Sequence, residues 1–500
     1  MKVTNQTELD NALADPKVSV IDIVGGDYYR LGDTGSKTVY VYDSATIKYV
    51  SGSATIKYVY GSATIENVYD SATIENVYDS ATIKYVYDSA TIKYVYDSAT
   101  IKYVYDSATI KYVYGSATIE NVYDSATIKY VYDSATIKYV YDSATIENVY
   151  GSATIENVSG SATIKYVSGS ATIENVYDSA TIKYVYGSAT IENVYGSATI
   201  ENVYGSATIK YVYDSATIKY VYDSATIKYV YDSATIKYVS GSATIENVYD
   251  SATIKYVYDS ATIKYVYGSA TIENVYGSAT IKYVYGSATI ENVYGSATIK
   301  YVSGSATIEN VYDSATIKYV YDSATIKYVY DSATIDAVSG LVVVQFLKGR
   351  AKIKRADGLV IIIKYDKAAE VTGGNVIDRT ALDLENPEVW AEVNGVEVVD
   401  GKAILYKAVR DDLKSYHGFE YPIGKTVTAP DWSEDNDCGG GLHVSPHPYE
   451  AHTYDSSATR FLKIETSLKK LRPINQGGAP KAKFHRGKVL AEVTKDGELV

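Results

Sequence analysis

A nine-residue phrase, Tyr-(Asp/Gly)-Ser-Ala-Thr-Ile-(Lys/Glu)-(Tyr/Asn)-Val, runs from residue 42 to residue 338 in 33 successive copies without one insertion or deletion. A period held that strictly makes each copy one structural unit stacked on its neighbours. One inserted residue would turn every later side chain to the wrong face of a strand. Within a copy such as 42–50, Ala45, Thr46, Ile47 and Lys48 alternate apolar, polar, apolar and charged, the period-two pattern of a half-buried strand. Ala45, Ile47 and, after a longer step, Val50 are the inward set, while Ser44, Thr46 and Lys48 face out. The Tyr-(Asp/Gly)-Ser segment is the corner, because Gly tolerates positive φ and Asp or Ser can bond the local backbone. Three β-branched residues in every nine argue against a helix. The regular placement of Ala, Ile and Val argues against a disordered low-complexity tract. The chain is therefore read as mainly β, a parallel β-solenoid (β-helix) of nine-residue repeats.

Degenerate copies follow the array. Residues 339–347, 348–356 and 357–365 keep the frame, with Gly340, Gly349 and Gly358 expected at corners. Their inward slots hold Val342 and Val344, Ala351 and Ile353, and Val360 and Ile362, while outward slots drift to Arg350, Lys352 and Lys354. The number of copies per turn stays open. Two per turn gives a stack of about 80 Å and three about 53 Å at ~4.8 Å per strand. The 12 Glu-Asn copies supply no phase, since pairs two copies apart and pairs three copies apart both number four. Upstream, Thr7 is expected to cap a short helix over 7–14 with Leu9, Ala12 and Leu13 on one face. This helix and the strand 18–24 resemble the N-terminal cap of parallel β-helix proteins, which covers apolar side chains and open strand edges. The cap is placed at 1–41.

Of the 57 tyrosines, 48 lie in the array, 28 at the first position of the phrase and 20 at the eighth, which predicts tyrosine ladders along the stack. The array also carries most of the net charge of −13: its 20 Lys stand against 31 acidic residues. Asp at position two accompanies Lys at position seven in 15 of 18 copies, which suggests local charge compensation. A mixed, mildly acidic surface makes neither nucleic acid nor an anionic membrane an expected partner, and leaves self-assembly along the solenoid open. The one cysteine, Cys438, excludes an intrachain disulfide framework. The first residues lack the apolar core of a classical signal peptide, and no apolar run approaches ~20 residues. The expected location is cytoplasmic or within a virion.

After residue 365 the period stops. Residues 366–400 read as a linker with a short helix around Trp390, and 401–500 as a small α+β C-terminal domain with strands at 403–409, 442–445, 461–466 and 488–493. Its motifs Leu405-Tyr406-Lys407-Ala408-Val409, Tyr416-His417-Gly418-Phe419-Glu420-Tyr421-Pro422, Cys438 with Gly441-Leu442-His443-Val444-Ser445, and Ala458-Thr459-Arg460-Phe461-Leu462 resemble, in that order, an uncharacterised C-terminal domain of phage and actinobacterial proteins. That domain often follows β-solenoid repeats, and the resemblance carries no activity with it.

Two chemical readings compete with a purely structural one in this domain. Cys438, His443 and His447, with His452, Asp435 and Asp437 close by, are ligand types that zinc takes, but their spacing matches no standard finger and no metal is assigned. Lys407, His443, Ser445 and the late Glu492 stand in a strand–Gly–strand order similar to ADP-ribosyltransferase-like folds, which set a late catalytic Glu beside NAD. The second-strand Tyr of those enzymes is missing, and so is an Arg or His on the first strand. Gly439, Gly440 and Gly441 lack the spacing of a phosphate-binding fingerprint. No cofactor is expected. The favoured function is a structural or interaction protein, a rigid solenoid rod displaying a C-terminal domain that meets a protein partner. The alternatives are an ADP-ribosyltransferase-like enzyme and an acidic rod that mimics DNA. A small cleft is expected where the 430–441 loop meets His443 and Ser445.

Overall fold

The computed structural model of the chain describes residues 1–455, 457–474 and 479–500. Two compact units divide it: residues 1–344, 352–361 and 371–375 form one, and 345–351, 362–370 and 376–500 the other. The first is a parallel β-solenoid with two nonapeptides per turn. Each copy contributes a five-residue strand such as Thr46–Val50, and each strand pairs in parallel with the strand 18 residues on. Ile47 faces Ile65 and Val50 faces Val68, so identical side chains stack in columns. Ala, Ile and Val at positions four, six and nine are inaccessible throughout the array. Two adjacent outward residues, Lys48 and Tyr49, separate Ile47 from Val50, and this step lets one strand deliver two inward side chains while the chain turns.

Every corner has the same conformation. The residue at position two has positive φ in all 33 copies, near 56° where it is Asp and near 66° where it is Gly. The Ala N–H at position four closes the turn on the Tyr carbonyl at position one, as from Ala90 to Tyr87 at 3.1 Å. The Tyr and Ser N–H groups bond carbonyls one turn back, as from Ser89 to Asp70 at 3.0 Å. The position-two N–H has no backbone acceptor; an aspartate one turn ahead supplies one, as from Asp88 N–H to Asp106 Oδ2 at 3.2 Å. Glycine corners come closer together instead. Ser161 N–H reaches Asp142 O at 2.6 Å beside Gly160, where a Cβ would sit 2.8 Å from the Asp142 nitrogen.

Charge compensation runs along the column rather than within a copy. Lys84 meets Glu66 at 2.9 Å, Lys93 meets Glu75 at 2.8 Å and Lys210 meets Glu192 at 2.6 Å, each pair one turn apart. Among the described residues no ion pair joins a corner aspartate to an array lysine, and the corner carboxylates accept from backbone N–H groups, as Asp106 does from Asp88. The tyrosine ladders are present: Tyr87 and Tyr105 stack at 5.2 Å and 8°, and Tyr94 and Tyr112 at 5.0 Å and 10°.

At the N-terminal end the helix Gln6–Ala14 is capped by Asn5, not Thr7, because the Asn5 side-chain oxygen accepts from Glu8 N–H at 3.0 Å. Leu9 and Ala12 are buried. Gln6 accepts from the N–H groups of Tyr29 and Arg30 and donates to Arg30 O, so one amide satisfies the backbone of the first exposed edge. The degenerate copies differ from expectation in one place. Gly340 and Gly349 turn corners with positive φ, but Gly358 lies inside a continuous strand, Lys352–Lys364. The run Leu359-Val360-Ile361-Ile362-Ile363 holds that stretch extended. Residues 366–374, read as linker, enter a further strand, Glu370–Asp378.

The second unit is mainly β. Antiparallel strands lie in the order Val398–Val399, Lys402–Val409, Arg460–Ser467, Arg486–Val493, Thr426–Thr428, and a smaller sheet orders Leu442–Val444, Lys481–Phe484, Arg472–Ile474. The Tyr406–Ser445 bridge joins the two sheets. Helices are short: Pro387–Val393, which buries Trp390 behind an Asn386 cap, and Pro448–His452.

Candidate functional site

Alternation along Lys402–Val409 sends Ala403, Leu405 and Val409 into the domain core, among Tyr421, Leu442, Val444 and Leu462. Lys407 occupies the remaining slot of that row. A charged side chain in an inward row is costly unless something answers it. Lys407 instead lines a cavity of about 740 Å³, a size that suits a small-molecule site. Its ammonium lies 5.8 Å from the Tyr421 ring centroid, and among the described residues it makes no ion pair or hydrogen bond. Burial pulls the Lys407 pKa down to about 8; the Asp455 carboxylate opposes that shift and the Lys481 charge adds to it.

The 430–441 loop forms one wall. Asp431 Oδ1 accepts from Gly441 N–H at 3.1 Å, and Lys483, fully buried, donates to Asp435 at 2.6 Å. Hydrogen bonds from Lys483, Ser433 and the Asp437 N–H hold the Asp435 carboxyl down at about 2. Trp432 stacks on His485 at 5.5 Å. Gly439 and Gly441 both have φ of +139°, and a Cβ on Gly440 would lie 2.5 Å from Asp431 O. Gly440 and Gly441 are therefore packed into the wall, whereas Gly439 faces open space and is restricted by its backbone conformation alone.

His443 Nε2 lies 3.2 Å from Gly439 O, a contact that assigns its proton to Nε2. Burial, then the nearby Lys407 charge, hold its pKa down at about 4, so the ring is neutral at pH 7. Lys481 donates to Cys438 Sγ at 3.3 Å and lies 4.6 Å over the Tyr454 ring. Asp455 also lines the cavity; its side chain is 9% exposed and its Oδ2 has no hydrogen-bond partner among the described residues.

The cavity thus brings together four residues singled out from sequence: Lys407, Cys438, His443 and Ser445. Three others lie elsewhere. Glu492 accepts from both Nε and Nη2 of Arg460 on the neighbouring strand, the first at 2.8 Å. His447 caps the helix Pro448–His452 and stacks on Tyr449 at 5.4 Å. His452 packs against Phe461. Among the described residues no three His, Cys, Asp or Glu side chains are grouped to hold a metal ion. Lys481 and Asp455 are absent from the sequence motifs, and Tyr421 stands in one without a site role. Of these, Lys481 carried one visible signal, the Lys-Ala-Lys-Phe alternation at 481–484.

A family model described as a domain of unknown function (DUF7666) matches residues 403–499, the part of the chain that holds this cavity. No curated protein matches the chain, and no solved structure does. Among the described residues no helix is long and apolar enough to cross a membrane.

Proposed function

We propose that the chain is a structural and interaction protein in which the solenoid serves as scaffold and the C-terminal domain performs recognition, with the cavity beside Lys407 as its binding site. The observation that carries the reading is the concentration of chemical variety. The solenoid repeats two-option positions, whereas the cavity gathers an ammonium unpaired among the described residues, a neutral imidazole, a buried carboxylate and five tyrosine and phenylalanine rings. Binding needs different groups converging on one place. A protein partner would present a side chain or terminus to this cavity. A virion or surface assembly is the setting that the resemblance to phage and actinobacterial domains suggests. The ADP-ribosyltransferase-like alternative loses support because Glu492 is held by Arg460 outside the cavity. The ion pairs along the solenoid give the DNA-mimic alternative no uniform acidic face.

Thermal unfolding of the full chain against a library of small aromatic compounds tests the reading. Compounds that raise the C-terminal transition should act equally on a chain shortened by two turns (residues 186–221). They should lose their effect in Cys438→Trp, which fills the cavity from its exposed rim. Binding that scales with the number of array copies would move recognition to the solenoid.

A further inference from the structure

We propose that Lys407 is a covalent capture residue, whose amine condenses with the carbonyl carbon of a small aromatic aldehyde or ketone held in the C-terminal cavity. The inference rests on the binding-site reading above and goes beyond it by naming the bond formed. Lys407 is the one charged member of the inward row Ala403–Leu405–Lys407–Val409, and no partner holds its ammonium among the described residues. A second cation, Lys481, lines the same cavity and is itself engaged by Cys438 Sγ and the Tyr454 ring. An amine that is desolvated and set near another cation is an activated nucleophile. Tyr416, Phe419, Tyr421 and Tyr454 supply aromatic walls for the ligand.

With its pKa at about 8, roughly a fifth of Lys407 is neutral at pH 7.4, against about 0.1% for an ordinary lysine, a gain on the order of 200-fold. The neutral nitrogen attacks the carbonyl carbon, and the C=O π pair moves to oxygen. One nitrogen proton passes to that oxygen to give the carbinolamine; the nitrogen lone pair then expels the hydroxyl, which takes up the second nitrogen proton and leaves as water. One C=O bond is replaced by one C=N bond, with no change of oxidation state. His443, neutral and lining the same cavity, has its unprotonated Nδ1 left to serve as the proton relay.

The test uses the full chain at pH 7.5 with 4-hydroxybenzaldehyde as probe and cyanoborohydride to reduce the imine, read by peptide mass spectrometry. The expected result is one fast adduct, on Lys407, formed at least 50-fold faster than on the array lysines. Lys407→Met and Lys407→Arg should both abolish it and leave the slow adducts unchanged; the Met variant removes the buried charge and keeps the fold intact should Arg not fit. In Lys481→Met the fast adduct should slow at pH 7.5 and recover at pH 9.5. Labelling of Lys407 at the rate of the array lysines, or a fast adduct on Lys481, overturns the proposal. The alcohol analogue, 4-hydroxybenzyl alcohol, separates the two readings. If it raises the C-terminal transition while Lys407 forms no fast adduct, the cavity binds its ligand without covalent capture and only this proposal fails.

Discussion

Of the two residues that alternate at the corner, aspartate adds an acceptor that glycine lacks. Both reach positive φ, but only the Asp carboxylate bonds the N–H one turn back, as Asp106 does for Asp88. Replacing Asp106 by Gly should therefore cost only a few tenths of a kcal/mol, because the acceptor is lost while the backbone stays at ease. Asp106→Ala should cost about 1–2 kcal/mol, since Ala resists the left-handed region and supplies no acceptor. Local opening free energies from amide hydrogen exchange rank the two, and equal values would remove the conformational argument. Inward and outward positions should respond oppositely in the same assay. Ile191 is fully buried, so Ile191→Lys should cost more than about 3 kcal/mol. Thr190→Lys on the outward face should cost about 0.5 kcal/mol or less; similar losses for both would reverse the assigned faces.

At the scale of strands and columns, the 18-residue turn decides which charges are neighbours. It stacks Glu273, Glu291 and Glu309 in one column and Glu156, Glu174 and Glu192 in another. Burial, then the two flanking carboxylates, lift Glu291 to about 7, with Lys255 and Lys327 opposing from the ends of the run. Beside these glutamates Asn292 and Asn310 form a ladder, each donating to the Asn one turn back, at 3.2 and 3.0 Å. The folded pKa of Glu291 lies above its unfolded value near 4.5, so its stabilising contribution is complete below that pH and disappears as pH rises through about 7. Glu291→Gln should therefore protect the local amides by about 1 kcal/mol more than the parent at pH 8, and by nothing at pH 4. An equal gain at both pH values would mean that the effect is not titration of this column.

For the chain as a whole, each solenoid turn bonds only the turns before and after it. Deleting 18 residues, such as 186–203, should leave a shorter, cooperatively folded solenoid with its columns still in register. Deleting five residues should abolish folding beyond the cut, because the inward set would point to solvent. Circular dichroism and protease resistance of the two chains decide this, and equal resistance would contradict a register-dependent core.

The repeat alone was enough to identify the inward residues, the corner, the parallel solenoid and the tyrosine ladders. Strand periodicity and burial are local consequences of residue order, and 33 copies with the same inward residues leave little room for another reading. Two copies per turn was not legible, because strands one, two or three copies apart look alike when every copy is the same. The pairing of residue 46 with residue 64 is a tertiary fact, and it in turn decides which Glu meets which Lys. In the C-terminal domain the motif order exposed Lys407, Tyr421, His443 and Ser445, yet Asp455 and Lys481 join them from stretches outside those motifs. Only folding brings those groups to one cavity, because a binding site is made by convergence across sequence and the array's architecture by repetition along it.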